Sequence, residues 1–304
     1  MPQVPSPAAT SKGPAGAPER PAASLSPSRA GDFMTCPLLY RFRVIDALPE
    51  PPGLEAMRGT LVHAVLERLF DLPASDRTLQ KAGDMVPQQW EELVTAQSED
   101  IRALLFGPES NWGELREDRP MQPADAQQEA DFLSGAHERL SRYFELEDPT
   151  RIEPAERELF VTAELPDGLV LRGFVDRLDR AADGRTRVVD YKTGKAPRDL
   201  FAQKAMFQMK CYALALWRAH GRIPTVLQLI YLGNSEILRY EPDEQDLLAT
   251  ERKLVALWKA ILRATDTGDW RPRKSRLCDW CAHQSICPEW GGTPPDLPPR
   301  QEEP

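Results

Sequence analysis

Residues 159–194 read LFVTAELPDGLVLRGFVDRLDRAADGRTRVVDYKTG, and the fold class follows from how this stretch divides. Asp167-Gly168 and Asp183-Gly184 are turn dipeptides, because a glycine there takes left-handed backbone without steric cost. The runs between them are rich in leucine, β-branched and aromatic residues. They predict strands over 159–165, 169–178 and 187–192, joined as two consecutive hairpins. In a strand alternate side chains share a face, so Asp190 and Lys192 point the same way, about 7 Å apart. The hairpin can bring a second carboxylate, Asp176, opposite Asp190.

Upstream the apolar period becomes helical. Leu61, Val62, Val65, Leu66 and Leu69 form one stripe, and Phe132, Leu133, Leu140, Tyr143 and Phe144 form another. Residues 72–125 between them read as loops and shorter helices. Downstream, a helix over 200–219 precedes a strand over 226–232, a short run over 236–240 and a helix over 244–264. This order predicts an α/β fold, a mixed central sheet flanked by helices, with a helical N-terminal part.

The chain has 304 residues, of which 41% are apolar, enough to bury a core. Residues 1–27 are dominated by Pro, Ala, Ser and Gly and are expected to form a disordered tail, as are the proline-rich residues 291–304. The folded part is then 28–290. No stretch has the apolar length of a signal peptide or of a membrane span, so no membrane partner is expected and the expected location is the cytoplasm. A net charge of −9 excludes a uniformly basic nucleic-acid coat but not a local positive site.

Two carboxylates held together repel unless a cation joins them. An oxygen-rich pair such as Asp176 and Asp190 suits magnesium or manganese, and Lys192 can position water or a phosphate beside it. An isolated Asp-x-Lys is usually just a solvated pair. His63 lies at the margin of the first apolar stripe, where histidines are more often packing residues than ligands. Lys204, Gln208 and Tyr212 recur every four residues and share one helix face.

The five cysteines include Cys278, Cys281 and Cys287 within ten residues, a spacing that suits one soft metal centre. A fourth ligand, His283 or Cys36, would complete a zinc site; an iron–sulfur cluster requires the all-thiolate set with Cys36. Cys211 reads as a packed thiol. Arg271, Arg273, Lys274 and Arg276 precede the cysteine run, and Arg41 and Arg43 follow Cys36. If a metal centre joins the two segments, these charges converge into a phosphate-binding patch.

Gly173-Phe174-Val175-Asp176-Arg177 followed by Val189-Asp190-Tyr191-Lys192-Thr193-Gly194 resembles two consecutive motifs of the PD-(D/E)XK superfamily, in its RecB-like branch. The resemblance covers residues 26–290 and implies a restriction-endonuclease-like core. It implies that Asp176 and Asp190 bind the metal, that Lys192 is catalytic and that the helical His63 is a further ligand. Gln208 and Tyr212 resemble the family's Gln-x-x-x-Tyr pair beside the active site. An acidic family position on the preceding strand falls on Glu156 or Glu158. Ser26-Pro27-Ser28 and Cys36-Pro37-Leu38-Leu39-Tyr40-Arg41-Phe42 resemble the start of AddB-type and CRISPR-associated relatives. That likeness implies a four-iron four-sulfur cluster on Cys36, Cys278, Cys281 and Cys287, with zinc as the alternative.

The expected activity is metal-dependent hydrolysis of DNA, as an exonuclease on single-stranded ends, in repair, recombination or a related pathway. With no Gly-x-x-x-x-Gly-Lys-Ser/Thr loop, unwinding is expected of a helicase or other repair partner. The alternative from another class is a non-catalytic DNA-binding or scaffold module with a structural metal cluster.

Overall fold

The computed structural model describes residues 24–50, 53–96, 101–106, 126–196 and 200–298. Its strands are β1 (Ser24–Leu25), β2 (Pro154–Leu165), β3 (Leu169–Arg180), β4 (Thr186–Lys192), β5 (Val226–Tyr231) and β6 (Glu236–Tyr240). They form one six-stranded mixed sheet in the order β1-β3-β4-β5-β6, with β2 on the remaining edge of β3. The helices are α1 (Pro27–Thr35), α2 (Pro37–Tyr40), α3 (Leu54–Leu69), α4 (Leu79–Ala96), α5 (Ile101–Phe106), α6 (Ala126–Leu146), α7 (Leu200–His220) and α8 (Glu244–Thr267).

Both predicted hairpins form. Asp167 (φ 62°) and Gly168 (φ 69°) take left-handed backbone between β2 and β3, and Gly184 (φ 85°) does so before β4. After β4, α7 crosses over to β5, which pairs parallel to β4. Val161, Ala163, Leu165, Leu169 and Leu171 are buried in the core beside α7 and α8. On the other face, Val189, Tyr191, Ile230 and Leu232 pack with α3, α4 and α6. The predicted stripe of α3 is fully buried there, each aliphatic side chain contributing about 1.5–3 kcal/mol.

Three expectations change. Strand β2 begins at Pro154 rather than 159, because polar residues on its exposed side hide the alternation. Residues 72–125 contain the long helix α4, which tolerates Pro87 because Trp90 packs against Phe106 and Phe132; residues 107–125 lie outside the described residues. The expected tails are shorter where they can be seen. Ser24 and Leu25 are buried as β1, Ser26 caps α1, and Pro295 O accepts a hydrogen bond from the buried Arg41. Residues 1–23 and 299–304 lie outside the described residues.

Candidate active site

On one edge, β3 has two successive neighbours. Strand β4 pairs with it from Arg177 to Arg180, and β1 pairs with it at Val170 and Leu171. Between them, over 172–176, no strand among the described residues continues the paired ladder on that edge, and the predicted site residues gather at this opening. Asp176 closes its lower end, its Oδ2 accepting from Tyr191 N at 2.7 Å. One step beyond the last paired residues, Arg177 and Val189, the register sets Asp176 opposite Asp190.

The same register extends to β2. Arg157 pairs with Arg177 and Leu159 with Val175, so Glu158 lies opposite Asp176. Glu158 has a left-handed backbone (φ 44°), a conformation that costs a non-glycine residue about 1–3 kcal/mol. Glu156, the other carboxylate the sequence left open, is exposed and faces Leu178 across the pair. A register shift between Pro154 and Glu156 lies just before both residues; sequence alone could not locate it.

His63 enters from α3. Its Nε2 lies 2.9 Å from Tyr191 O, and because a carbonyl only accepts, Nε2 carries the proton. The lone pair of Nδ1 is then 3.5 Å from Asp176 Oδ2. Ligand atoms of His63, Glu158 and Asp176 all lie within 4.8 Å of one another. Burial, and next the Asp190 charge, push the Asp176 carboxyl well above the usual carboxylate range. Burial also raises Glu158 and holds His63 below its ordinary value. Lone pairs and carboxylates so close call for a positive centre between them. The donor set fits a hard divalent cation with one imidazole.

Asp190 is buried, and its Oδ2 lies 2.7 Å from Lys192 Nζ without an aligned hydrogen-bond donor. Lys192 Nζ donates to Gln208 Oε1 at 3.0 Å, and Gln208 Nε2 donates to Tyr212 OH at 2.7 Å. The lysine is thus aimed from two sides. It opens into a cleft of about 620 Å³ also lined by Ser28, Asp32, Lys195, Lys204 and Gln208. His63 and Tyr191 border both this cleft and the recess that holds Glu158 and Asp176.

Two glycines let the parts approach. A Cβ on Gly173 would lie 2.7 Å from Tyr212 Cε1, and one on Gly233 would lie 2.3 Å from the Gly194 carbonyl carbon. The second contact clamps the turn after Lys192, where Gly233 N donates to Gly194 O at 3.0 Å. Gly173→Ala therefore displaces the Tyr212–Gln208 pair. We expect a loss of about 1–3 kcal/mol in urea unfolding, with reduced activity, and Tyr212→Phe in the same background will not relieve it, because the clash is with the ring.

A supporting network was not assigned from sequence. Arg177, almost fully buried, donates to Glu147 at 2.8 and 3.0 Å, to Tyr191 OH at 2.5 Å and to Asp179 at 3.0 Å. Gln228, buried on β5, donates to Glu147 Oε1 at 3.1 Å. Tyr191 so anchored presents its N–H to Asp176 and its carbonyl to His63. The only sequence signal was Arg177 beside Asp176, an arginine at a position whose neighbours are core residues.

Cys36, between α1 and α2, lines one pocket together with Cys278, Cys281 and Cys287. None of the four is in a disulfide. Arg273 N and Ser275 N each lie 3.3 Å from a sulfur, donating to Cys36 and Cys278 respectively. The His283 ring is turned away: it is buried against Phe42, and Nε2 is 2.8 Å from Glu50. Of the two candidate fourth ligands, Cys36 faces the pocket. Cys211 is fully buried in the core, which pushes its thiol pKa up. The expected basic patch is weaker than its sequence suggests, since Arg41 is buried against Asp46 and Arg43 is paired with Asp32 and Glu50.

Among curated proteins, the chain is 29% identical over 199 residues to the Gene 69 protein of Mycobacterium phage D29, covering 64% of this chain and 70% of that protein. It is 23% identical over 290 residues to the Gene 69 protein of Mycobacterium phage L5, covering 86% and 95%. Among solved structures, a candidate exonuclease from Eubacterium rectale superposes with a TM-score of 0.52 at 14% identity, covering 86% of this chain and 88% of that one. That likeness is one of fold. The sequence profile of the PD-(D/E)XK nuclease superfamily matches residues 24–288, from β1 to just past the last clustered cysteine, and the chain belongs to that superfamily.

Proposed function

We propose that this nuclease is a divalent-metal-dependent deoxyribonuclease of the RecB-like branch, acting as an exonuclease on single-stranded ends during DNA repair or recombination. The observation that carries the reading is the convergence of His63, Glu158 and Asp176 within 4.8 Å, beside the Asp190–Lys192 pair. His63, Glu158, Asp176 and Asp190 would hold magnesium or manganese, which when bound would activate water and neutralise developing charge on the phosphate. Lys192, steadied by Gln208, orients the attacking water and offsets charge at the phosphate. Lys195 and Lys204 in the cleft attract the DNA backbone. The exonuclease assignment is supported by the resemblance and by the name of the Eubacterium rectale neighbour.

End-labelled single-stranded DNA tests this directly. Cleavage is expected with manganese and is expected to vanish on chelation; cleavage that survives chelation, or none with any divalent ion, overturns the reading. Glu158→Gln should weaken manganese binding, measured by calorimetry, by at least about tenfold, while Glu156→Gln leaves it unchanged. The reverse order would return the ligand role to Glu156.

We propose that the four cysteines hold a four-iron four-sulfur cluster of the AddB type, with zinc as the alternative. Among the described residues, the one group of such ligand atoms mutually within 4.8 Å is His63, Glu158 and Asp176, so no three sulfurs come that close. A single zinc at about 2.3 Å would draw its sulfurs to about 3.8 Å. Backbone N–H groups directed at the sulfurs also suit thiolates that carry negative charge. Such a cluster would tie the beginning of the fold to its end. Anaerobically purified protein is expected to be brown with stoichiometric iron, and Cys36→Ser to lose both colour and melting temperature. Stoichiometric zinc without iron would decide for the alternative.

A further inference from the structure

The β2–β3 hairpin carries two large aromatic side chains in water. Phe160 and Phe174 lie directly opposite each other in the antiparallel register. Their ring centroids are 5.2 Å apart, and they are 52% and 55% exposed. The inward positions of the same hairpin, Val161, Ala163, Leu165 and Leu171, are buried, so this pair is not part of the core. Water-facing strand positions are readily filled by polar residues, as Thr162 and Glu164 do here. Two facing phenylalanines left in solvent point to a flat apolar ligand.

Their place names that ligand. Phe160 is two residues beyond Glu158 on β2, and Phe174 is two residues before Asp176 on β3. At the usual strand rise the aromatic pair adjoins the carboxylates at about 7 Å, the scale of one nucleotide. The next pair along the hairpin is Thr162 opposite Arg172. Arg172 has no carboxylate partner among the described residues, unlike Arg157, Arg177 and Arg187; Arg180 at the far end of β3 and Arg239 on β6 also have none, but they lie away from this pair. Moving outward from the cation site, the hairpin therefore presents carboxylates, a pair of π faces, and then a free guanidinium. Bases stack on aromatic rings whatever their identity, and an unpaired arginine meets the phosphate that follows.

We infer that Phe160 and Phe174 form a stacking platform for an unpaired base adjoining the cleaved phosphate, with Arg172 holding the next phosphate. This inference rests on the deoxyribonuclease reading and deepens it. A base within a duplex has both faces covered by its neighbours, so the platform favours single-stranded or frayed ends. Phe160 and Phe174 are positioning residues for the substrate and touch no reacting atom.

The test is a cycle on wild type and the F160A/F174A variant. Single-stranded DNA carries either a normal nucleotide or an abasic tetrahydrofuran residue at successive positions next to the cleaved bond. For wild type, kcat/KM should fall about ten- to hundred-fold when one particular position is abasic. The double variant should show that loss on normal DNA and little further loss on the abasic strand. Trp at both positions should restore the wild-type pattern. Manganese affinity and melting temperature should be unchanged in every variant.

If the double variant cleaves normal DNA like wild type, or wild type cleaves abasic and normal strands equally, the platform is overturned while the nuclease reading stands. Loss of manganese binding in the double variant also overturns it, because the phenylalanines would then be shaping the carboxylate site. So does a shift from dimer to monomer in sedimentation on substitution, which would make the patch a protein interface. If wild type cleaves neither strand, the nuclease reading itself fails.

Discussion

Lys192→Ala is expected to lower the rate of single-stranded DNA cleavage by about 10²–10⁴-fold while the protein stays folded. Among the described residues, the lysine is the one cation brought against buried Asp190, at 2.7 Å, and Gln208 holds it there at 3.0 Å. Its ammonium has three donors, so it can keep Asp190 and Gln208 and still reach a third group. Arginine cannot substitute well, because its rigid, wider fork neither fits this spacing nor gives up a proton. Lys192→Arg should accordingly recover little of the rate. Single-turnover cleavage with saturating manganese measures the effect on chemistry, and the melting temperature reports the fold. Without metal the alanine variant should melt lower than wild type, since Asp190 has lost its partner, and added manganese should narrow the gap. Equal single-turnover rates for wild type and Lys192→Ala would sink the proposed chemistry.

The second large effect is on stability. Arg177→Met should cost about 3–5 kcal/mol in urea unfolding, because it leaves buried Glu147 with only the more distant Arg187, at 3.7 Å, and Asp179 with only the same Arg187. The loss should also reach the active site, since Tyr191 loses the donor to its hydroxyl while its N–H and carbonyl hold Asp176 and His63. Manganese affinity is therefore expected to fall although Arg177 is no ligand. Adding Glu147→Leu should return a good part of the stability, because an apolar pair of similar volume needs no charge compensation. A cost under about 1 kcal/mol for Arg177→Met would mean that the network is solvated in solution and does not brace Tyr191.

These two residues mark where reading from sequence succeeds and where it stops. Lys192 was legible because two-residue alternation is a property of any strand, and a strand ending in Val-Val-Asp-Tyr-Lys must hold the carboxylate and the ammonium on one side. Arg177 sits next to Asp176, yet its partners come from Glu147 just past α6, from β4 and from its own strand, and no local pattern announces them. His63 was visible as a residue at the edge of an apolar stripe, but its protonated Nε2 and its free Nδ1 follow only from the position of the Tyr191 carbonyl.

Taken alone, the sequence determined the hairpins, the helical stripes, the α/β order, and the shared face of Asp190 and Lys192. Each of these is set by backbone geometry over a few residues, through left-handed turns and the periods of strand and helix. Tertiary structure alone decided that Glu158 and not Glu156 faces Asp176, that Cys36 and not His283 looks into the cysteine pocket, and that the sheet opens beside β3. Those outcomes depend on strand register and on contacts between distant segments. They are set by packing summed over the whole core, where a one-residue change of register in β2 would bring Arg157 or Leu159 opposite Asp176 in place of Glu158.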